Sequence, residues 1–168
     1  MIVYLVRHGA AVDVGEHGVE RDGDRMLSEE GKRKTGRAAA GLRAVSCRPE
    51  RVFTSPLIRA RETADIVAQA LDGKPRVGTL DLLAPGADLD ALPAWLRRQT
   101  AESLMLVGHM PSLAELASVL LSGGDDCDIL LKKASACCLS FDGRASAGTA
   151  RLEWLIQPKA LALLGDAN

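Results

Sequence analysis

No stretch of the 168-residue chain approaches the roughly 20 apolar residues that a membrane-spanning helix needs. The first apolar run ends at Val6 and has no basic leader, so a secretory signal is not expected. Neither sign of charge predominates. Lys and Arg total 21 against 22 Asp and Glu, a formal net charge of -1, and no general attraction to nucleic acid or to an anionic membrane follows. The four cysteines, Cys47, Cys127, Cys137 and Cys138, form no CxxC and no Cys/His zinc spacing. Adjacent Cys137 and Cys138 would point to opposite faces of a strand and so would not pair. They read as reduced thiols of a cytoplasmic protein, serving as small packing residues. GxSxG, P-loop, GxGxxG and HExxH motifs are all missing, as are a carboxylate cluster, an internal repeat and a linker. Of the three histidines, His17 lies in a Gly/Glu-rich loop and reads as exposed. The remaining two are too few for a zinc set, so neither metal nor cofactor is expected.

What is present is an ordinary globular balance, 47% hydrophobic and 26% charged. It suffices for one domain over residues 1–168 with a real core. Apolar β-branched runs alternate with helical patterns. Strands are expected at 1–6, 51–54, 75–80, 103–109, 136–142 and 150–157. Helices are expected over 28–45, where Ser28 can cap, from Ser55-Pro56 to about Leu71, over 88–99, and from Pro111-Ser112 to about Leu121. Residues 123–128 read as the most polar loop, and the tail beyond Gly165 as frayed.

This alternation predicts an α/β three-layer sandwich, a mostly parallel sheet with helices on both faces. Ligands of such sheets bind outside the carboxyl ends of the strands. Arg7-His8, the segment Ser55 to Arg59, and His109 all follow a strand's carboxyl end. Gly9 and Gly108 flank the two histidines, and glycine allows close backbone approach or a sharp turn. The plainer reading, two satisfied histidines at strand ends, is weakened by their matching positions and by the arginine before His8. In the same stretch, Arg61 reads as a surface residue pairing with Glu62 or Asp65, whereas Arg59 falls in the first turn of its helix, near the strand end.

Two histidines with two arginines suit phosphoryl transfer. Guanidinium forks match phosphate oxygens bidentately. A neutral histidine can attack phosphorus and carry it covalently, and a second, protonated one would stabilise charge on the transferring group.

The segments "LVRHG" (5–9), "SPLIRARET" (55–63) and "LVGHMPSL" (106–113) resemble, in that order, the histidine phosphatase superfamily, which includes the cofactor-dependent phosphoglycerate mutases. The short length, "RMLSEEG" (25–31), "LLAPGAD" (82–88) and a strand pair ending in "WLIQP" (154–158) are similar to its SixA-type phosphohistidine phosphatase branch. Nearly the whole chain takes part. The resemblance implies a phosphoglycerate mutase-like fold with His8 as the phosphorylated nucleophile, Arg7 and Arg59 as phosphate ligands and His109 as the second histidine of the pocket. It places Arg25 near the site, although Met26 stands where the branch usually has proline.

Larger relatives carry an insertion before the second histidine that covers the site and supplies an acid. Here only Ala60 to Gly108 separates Arg59 from His109, and Asp81 is the nearest candidate for that acid. An open site suits phosphate presented on a protein. The expected substrate is therefore a phosphohistidine-bearing protein such as a histidine phosphotransfer domain. Two alternatives remain: a phosphatase of small esters such as sugar phosphates, and a non-catalytic phosphate-binding module.

Overall fold

Alternation along the first strand builds both layers of the core. The computed structural model describes residues 1–167. In β1 (Ile2–Arg7), Val3 and Leu5 pack on one face, and Tyr4 and Val6 on the other. The strand β4 (Ser103–Gly108) repeats the pattern, with Leu104 and Leu106 on the first face and Met105 and Val107 on the second. The first face is covered by α3 (Ala91–Arg97) and α4 (Ser112–Ser122), through Leu92, Leu96, Leu113, Leu116 and Leu120. The second is covered by α1 (Glu29–Ala44), α2 (Ile58–Ala70) and α5 (Pro158–Asp166), through residues such as Leu42, Val67 and Leu161. Cys137 and Cys138 of β5 (Ala136–Ser140) split between the two faces as expected of neighbours on a strand. Cys47 is also buried, whereas Cys127 is only half-buried.

With β2 (Arg51–Thr54), β3 (Arg76–Thr79) and β6 (Arg151–Ile156), the sheet has the order β3-β2-β4-β1-β5-β6. The pairs β3–β2, β2–β4 and β4–β1 are parallel; β5 runs antiparallel to both of its neighbours. This is the mostly parallel three-layer sandwich read from the sequence. Register fixes the site's location. Arg7 pairs with Gly108, and Thr54 with Val107, so β1, β4 and β2 end level. His8, His109 and Ser55 therefore leave three adjacent strands side by side.

Two expectations change. Ser55 is not the N-cap of α2, which begins at Ile58 with Leu57 at its cap position; the Ser55 hydroxyl accepts from the Leu57 N–H at 3.3 Å in the turn before the helix and pairs with His109. The chain after the last strand forms α5, which the sequence reading did not assign. Its signal was Pro158 at the first helical position, ahead of a leucine-rich stretch. Asp166 still belongs to that helix, and Asn168, the end of the tail expected to fray, lies outside the described residues.

Helix α1 is capped by Ser28, whose Oγ accepts from the Gly31 N–H at 3.0 Å. Glycine then lets α5 lie directly on it, since a Cβ on Gly41 would fall 2.0 Å from the Leu161 carbonyl oxygen. Backbone cannot yield as a side chain can. Gly41→Ala is expected to destabilise the protein by about 1–3 kcal/mol through overpacking, less the few tenths to about 1 kcal/mol that alanine gains in a helix. Thermal melting measures this; a Tm at or above the wild-type value would show that α5 slides away freely.

Candidate active site

Helix α1 also presses on the turn after β1. A Cβ on Gly31 would lie 1.9 Å from the Ala10 carbonyl oxygen, and one on Gly9 would lie 2.3 Å from Thr35 Oγ1. Of the two roles open to glycine here, close backbone approach or a sharp turn, the structure shows close approach at Gly9, with Thr35 as the neighbour. Gly9 also fixes His8 from both sides of its peptide. Its carbonyl accepts a hydrogen bond from His8 Nδ1 at 2.7 Å, and its N–H donates to Thr63 Oγ1 at 3.0 Å. A carbonyl only accepts, so Nδ1 carries the proton and Nε2 keeps its lone pair. Among the described residues nothing bonds Nε2. The His8 backbone N–H donates to the Gly108 carbonyl at 3.0 Å, which ties the two histidine-bearing strand ends together.

His109 faces His8, with ring centroids 4.9 Å apart and planes at 53°. Its Nε2 pairs with Ser55 Oγ at 2.8 Å. Arg7 Nη1 donates to the Leu131 carbonyl at 2.7 Å. Arg59, in the first turn of α2, is buried to 5% exposure. Thr63, one turn later, donates to the Arg59 carbonyl at 2.7 Å while accepting from Gly9. That hydroxyl locks α2 to the His8 turn. Three of the four buried polar side-chain atoms without a hydrogen-bond partner among the described residues are Arg7 Nε, Arg59 Nε and His109 Nδ1. Buried polar atoms are normally paired. Such a concentration of nitrogens at one strand-end crevice is suited to an oxyanion with several acceptor oxygens.

Arg59 is also held from outside. Its Nη1 donates to the Asp22 backbone carbonyl at 2.6 Å and its Nη2 to Asp22 Oδ2 at 2.9 Å. The other carboxylate oxygen of Asp22 accepts from Arg25 Nη1 at 3.1 Å. Arg25 continues to the Val12 carbonyl at 2.6 Å and to Asp13 Oδ1 at 2.8 Å. The guanidinium of Arg59, then that of Arg25, holds the Asp22 carboxyl below the usual carboxylate range. Arg25 thus reaches the site through Asp22, as a support for Arg59. Asp22 itself escaped the sequence reading, since one acidic residue in a polar loop carries no periodic signal. The same is true of Ser55 as a partner of His109, and of Thr63.

Asp81 lies in a 3-10 turn just beyond β3, exposed, and among the described residues its carboxylate bonds to none of these groups. His17 is exposed as expected. Arg61 is exposed too, but the pairing expected with Glu62 or Asp65 does not form; Glu62 accepts instead from the Leu27 backbone N–H.

Burial, with like charge from His109, Arg59 and Arg7, lowers the His8 pKa to about 3. Burial, then Arg59 and Arg7, lowers that of His109 to about 4. Both rings are neutral at neutral pH. The protonated state expected of His109 as charge reaches the transferring group would therefore need an incoming anion to favour it. Stability follows. The unfolded chain takes up these protons near pH 6.5, the folded one only near 4 and 3, so this contribution is complete above about pH 6.5 and is lost as pH falls. Tm should drop from about pH 6.5 to 5 more steeply than in a folded His8→Gln/His109→Gln variant. Parallel slopes would mean that neither ring is held neutral.

Residues 3–83, which carry Arg7, His8, Arg25 and Arg59, match the histidine phosphatase superfamily (branch 1). An uncharacterized protein of Picosynechococcus sp. is 40% identical over 137 residues, covering 80% of this chain and 81% of that one. The phosphohistidine phosphatase SixA of Escherichia coli (strain K12) is 30% identical over 127 residues, 73% of this chain and 76% of SixA. In fold, the chain superposes on the structure of the protein histidine phosphatase SixA complexed with tungstate with a TM-score of 0.82, at 24% identity, over 96% of this chain and 99% of that one. A relative spanned over three-quarters of its length, and a match through the segment that bears His8 and both arginines, make this chain a member of the histidine phosphatase superfamily.

Proposed function

We propose that the chain is a cytoplasmic phosphohistidine phosphatase, acting as one domain on a phosphorylated protein such as a histidine phosphotransfer domain. The observation that carries this reading is the tautomer of His8: Nδ1 donates to the Gly9 carbonyl, and Nε2 is unprotonated beside His109 and two arginines. Nε2 attacks phosphorus as the bond to the substrate's imidazole breaks, and that ring leaves with the electron pair and takes a proton. Water then attacks phospho-His8, releasing phosphate and restoring the neutral ring. Arg7 and Arg59 hold the phosphoryl oxygens, and His109 gains a proton as negative charge arrives.

Support for a protein substrate comes from what lies between Arg59 and His109. That span is used by α2, β3, the turn at Asp81–Leu83, α3 and β4, and its longest irregular piece is residues 84–90. The deciding experiment is turnover of a phosphohistidine protein against a panel of sugar phosphates. A clear preference for the sugar phosphates would replace this reading with that of a small-ester phosphatase, and no turnover of any substrate, including a chromogenic aryl phosphate, would leave a binding module.

Asp81 separates the two enzymes further. An alkoxide leaves about as poorly as hydroxide, whose conjugate acid water has a pKa of about 15.7, whereas imidazole takes a proton with a pKa near 6.5. General acid catalysis contributes about 10²- to 10⁴-fold, so Asp81→Asn should lose less than about tenfold on phosphohistidine. A loss of a hundredfold in kcat/KM on that substrate would show that an acid is required and would favour the small-ester reading.

A further inference from the structure

Beside Arg7 a groove of about 730 Å³ opens between α1, α5 and the segment leading into β5. It is far larger than a phosphate needs. Its charged lining is entirely cationic: besides Arg7 it takes Lys34 and Arg37 from α1, Lys132 and Lys133 before β5, and Lys159 from α5. Two of these are already engaged, Lys34 with Glu30 at 3.0 Å and Arg37 with Asp166. Lys132, Lys133 and Lys159 are exposed and form no ion pair among the described residues. The rest of the lining is apolar. Leu163 stands 69% exposed, beside Pro158 and Ala162. In a chain whose net charge is -1, this local excess of free cations is not a property of the surface at large.

The groove is mechanically part of the site. Arg7 Nη1 donates to the Leu131 carbonyl, the residue immediately before the two lysines. The Ala134 N–H bonds back to the carbonyls of Arg7 and His8 at 3.1 and 3.2 Å. Arg7 belongs both to the groove lining and to the strand end that bears His8, so the groove adjoins the surface a phosphorylated partner would meet.

We propose that the groove docks the phosphorylated partner itself, through an acidic helix whose apolar stripe rests on α5 and whose carboxylates meet Lys132, Lys133 and Lys159. The identity of the partner rests on the phosphohistidine-protein reading. Charge complementarity selects an acidic surface. The apolar floor selects a protein rather than a nucleic acid: no aromatic side chain lines the groove for base stacking, and a phosphate backbone has nothing to place on Leu163. The proposal makes Lys132, Lys133 and Lys159 a specificity surface, distinct from Arg7, Arg59 and the two histidines that would meet the phosphoryl group.

The test compares the full chain with its Lys132→Glu/Lys133→Glu/Lys159→Glu variant. The binding probe is a labelled amphipathic helical peptide with Glu on its polar face and Leu on its apolar face, alongside a counterpart with Lys in place of Glu. The wild type should bind the acidic peptide, more weakly as salt rises, and not the basic one. The variant should lose at least about tenfold in affinity, mostly in the association rate. Its kcat/KM on a phosphohistidine protein should fall at least about tenfold, while aryl phosphate turnover stays within about twofold, which shows the fold and phosphate site intact. Equal peptide binding by both proteins overturns the proposal. So does a stronger, variant-sensitive preference for duplex DNA or for anionic phospholipid vesicles. A wild type that turns over aryl phosphate but no phosphohistidine protein removes the function proposed above, and the peptide arm still decides the groove.

Discussion

His8→Ala is expected to lower phosphatase turnover by more than about 10⁴-fold, because it removes the atom that would carry the phosphoryl group. The surrounding frame does not depend on that ring. The His8 backbone N–H bonds to the Gly108 carbonyl, and the Gly9 N–H bonds to Thr63, whatever side chain stands at this position. The variant should therefore fold and still bind an oxyanion through Arg7, Arg59 and His109. Tungstate or vanadate protection against thermal unfolding reads that binding separately from chemistry. In the wild type, rapid acid-free quenching during turnover should trap phosphate that is stable in alkali and labile in acid, mapped to His8. Label on any other residue, or residual turnover within about a hundredfold of wild type, would place the nucleophile elsewhere.

What the sequence made legible here was what depends on order and period. Short continuous apolar runs marked β1 and β4 as buried strands, and a residue directly after a buried strand is constrained to the strand's carboxyl end, so His8 and His109 could be placed together before any coordinates. Arg59 followed from helical spacing. The partners that hold these groups depended instead on tertiary approach. Asp22 lies 37 residues from Arg59 in a loop with no pattern, and Ser55 lies 54 residues from His109. Ser55-Pro56 carried a genuine local signal for a helix opening, but the helix starts only at Ile58, and the Ser55 hydroxyl divides between the Leu57 N–H in the preceding turn and His109. Gly9 depended on packing in the same way: a glycine announces close approach or a turn, and only packing shows that the approaching atom belongs to α1. The protonation of His109 was the least legible feature, since it depends on burial beside two arginines rather than on residue type.

Arg59→Lys should cost about 10- to 100-fold in kcat/KM, although charge is conserved. The guanidinium has five donors, and two are committed to Asp22, one from Nη1 to its carbonyl and one from Nη2 to its carboxylate. Those two bonds set the plane of the fork and leave Nε and the remaining Nη protons for phosphoryl oxygens. An ammonium has three donors on one atom. If it keeps the Asp22 carboxylate it has less left for phosphate, and if it turns to phosphate it leaves Asp22 with Arg25 alone. Hydrogen bonds to charged groups are worth about 1.5–3 kcal/mol, and the loss of one such bond, at about 1.4 kcal/mol per factor of ten, gives the expected range. Asp22→Asn sharpens the point. It keeps the backbone carbonyl bond to Arg59 and an acceptor oxygen but removes the charge, so it should weaken the fork's alignment by less than Arg59→Lys does. Arg61→Lys, on the exposed side of the same helix, supplies the silent control. Kinetics on a phosphohistidine protein and on an aryl phosphate should show the same loss for Arg59→Lys, because the role proposed for this arginine is on the phosphoryl group that both substrates share. A loss confined to the protein substrate would place Arg59 in docking instead, and near-normal kinetics on both would remove it from the phosphate site.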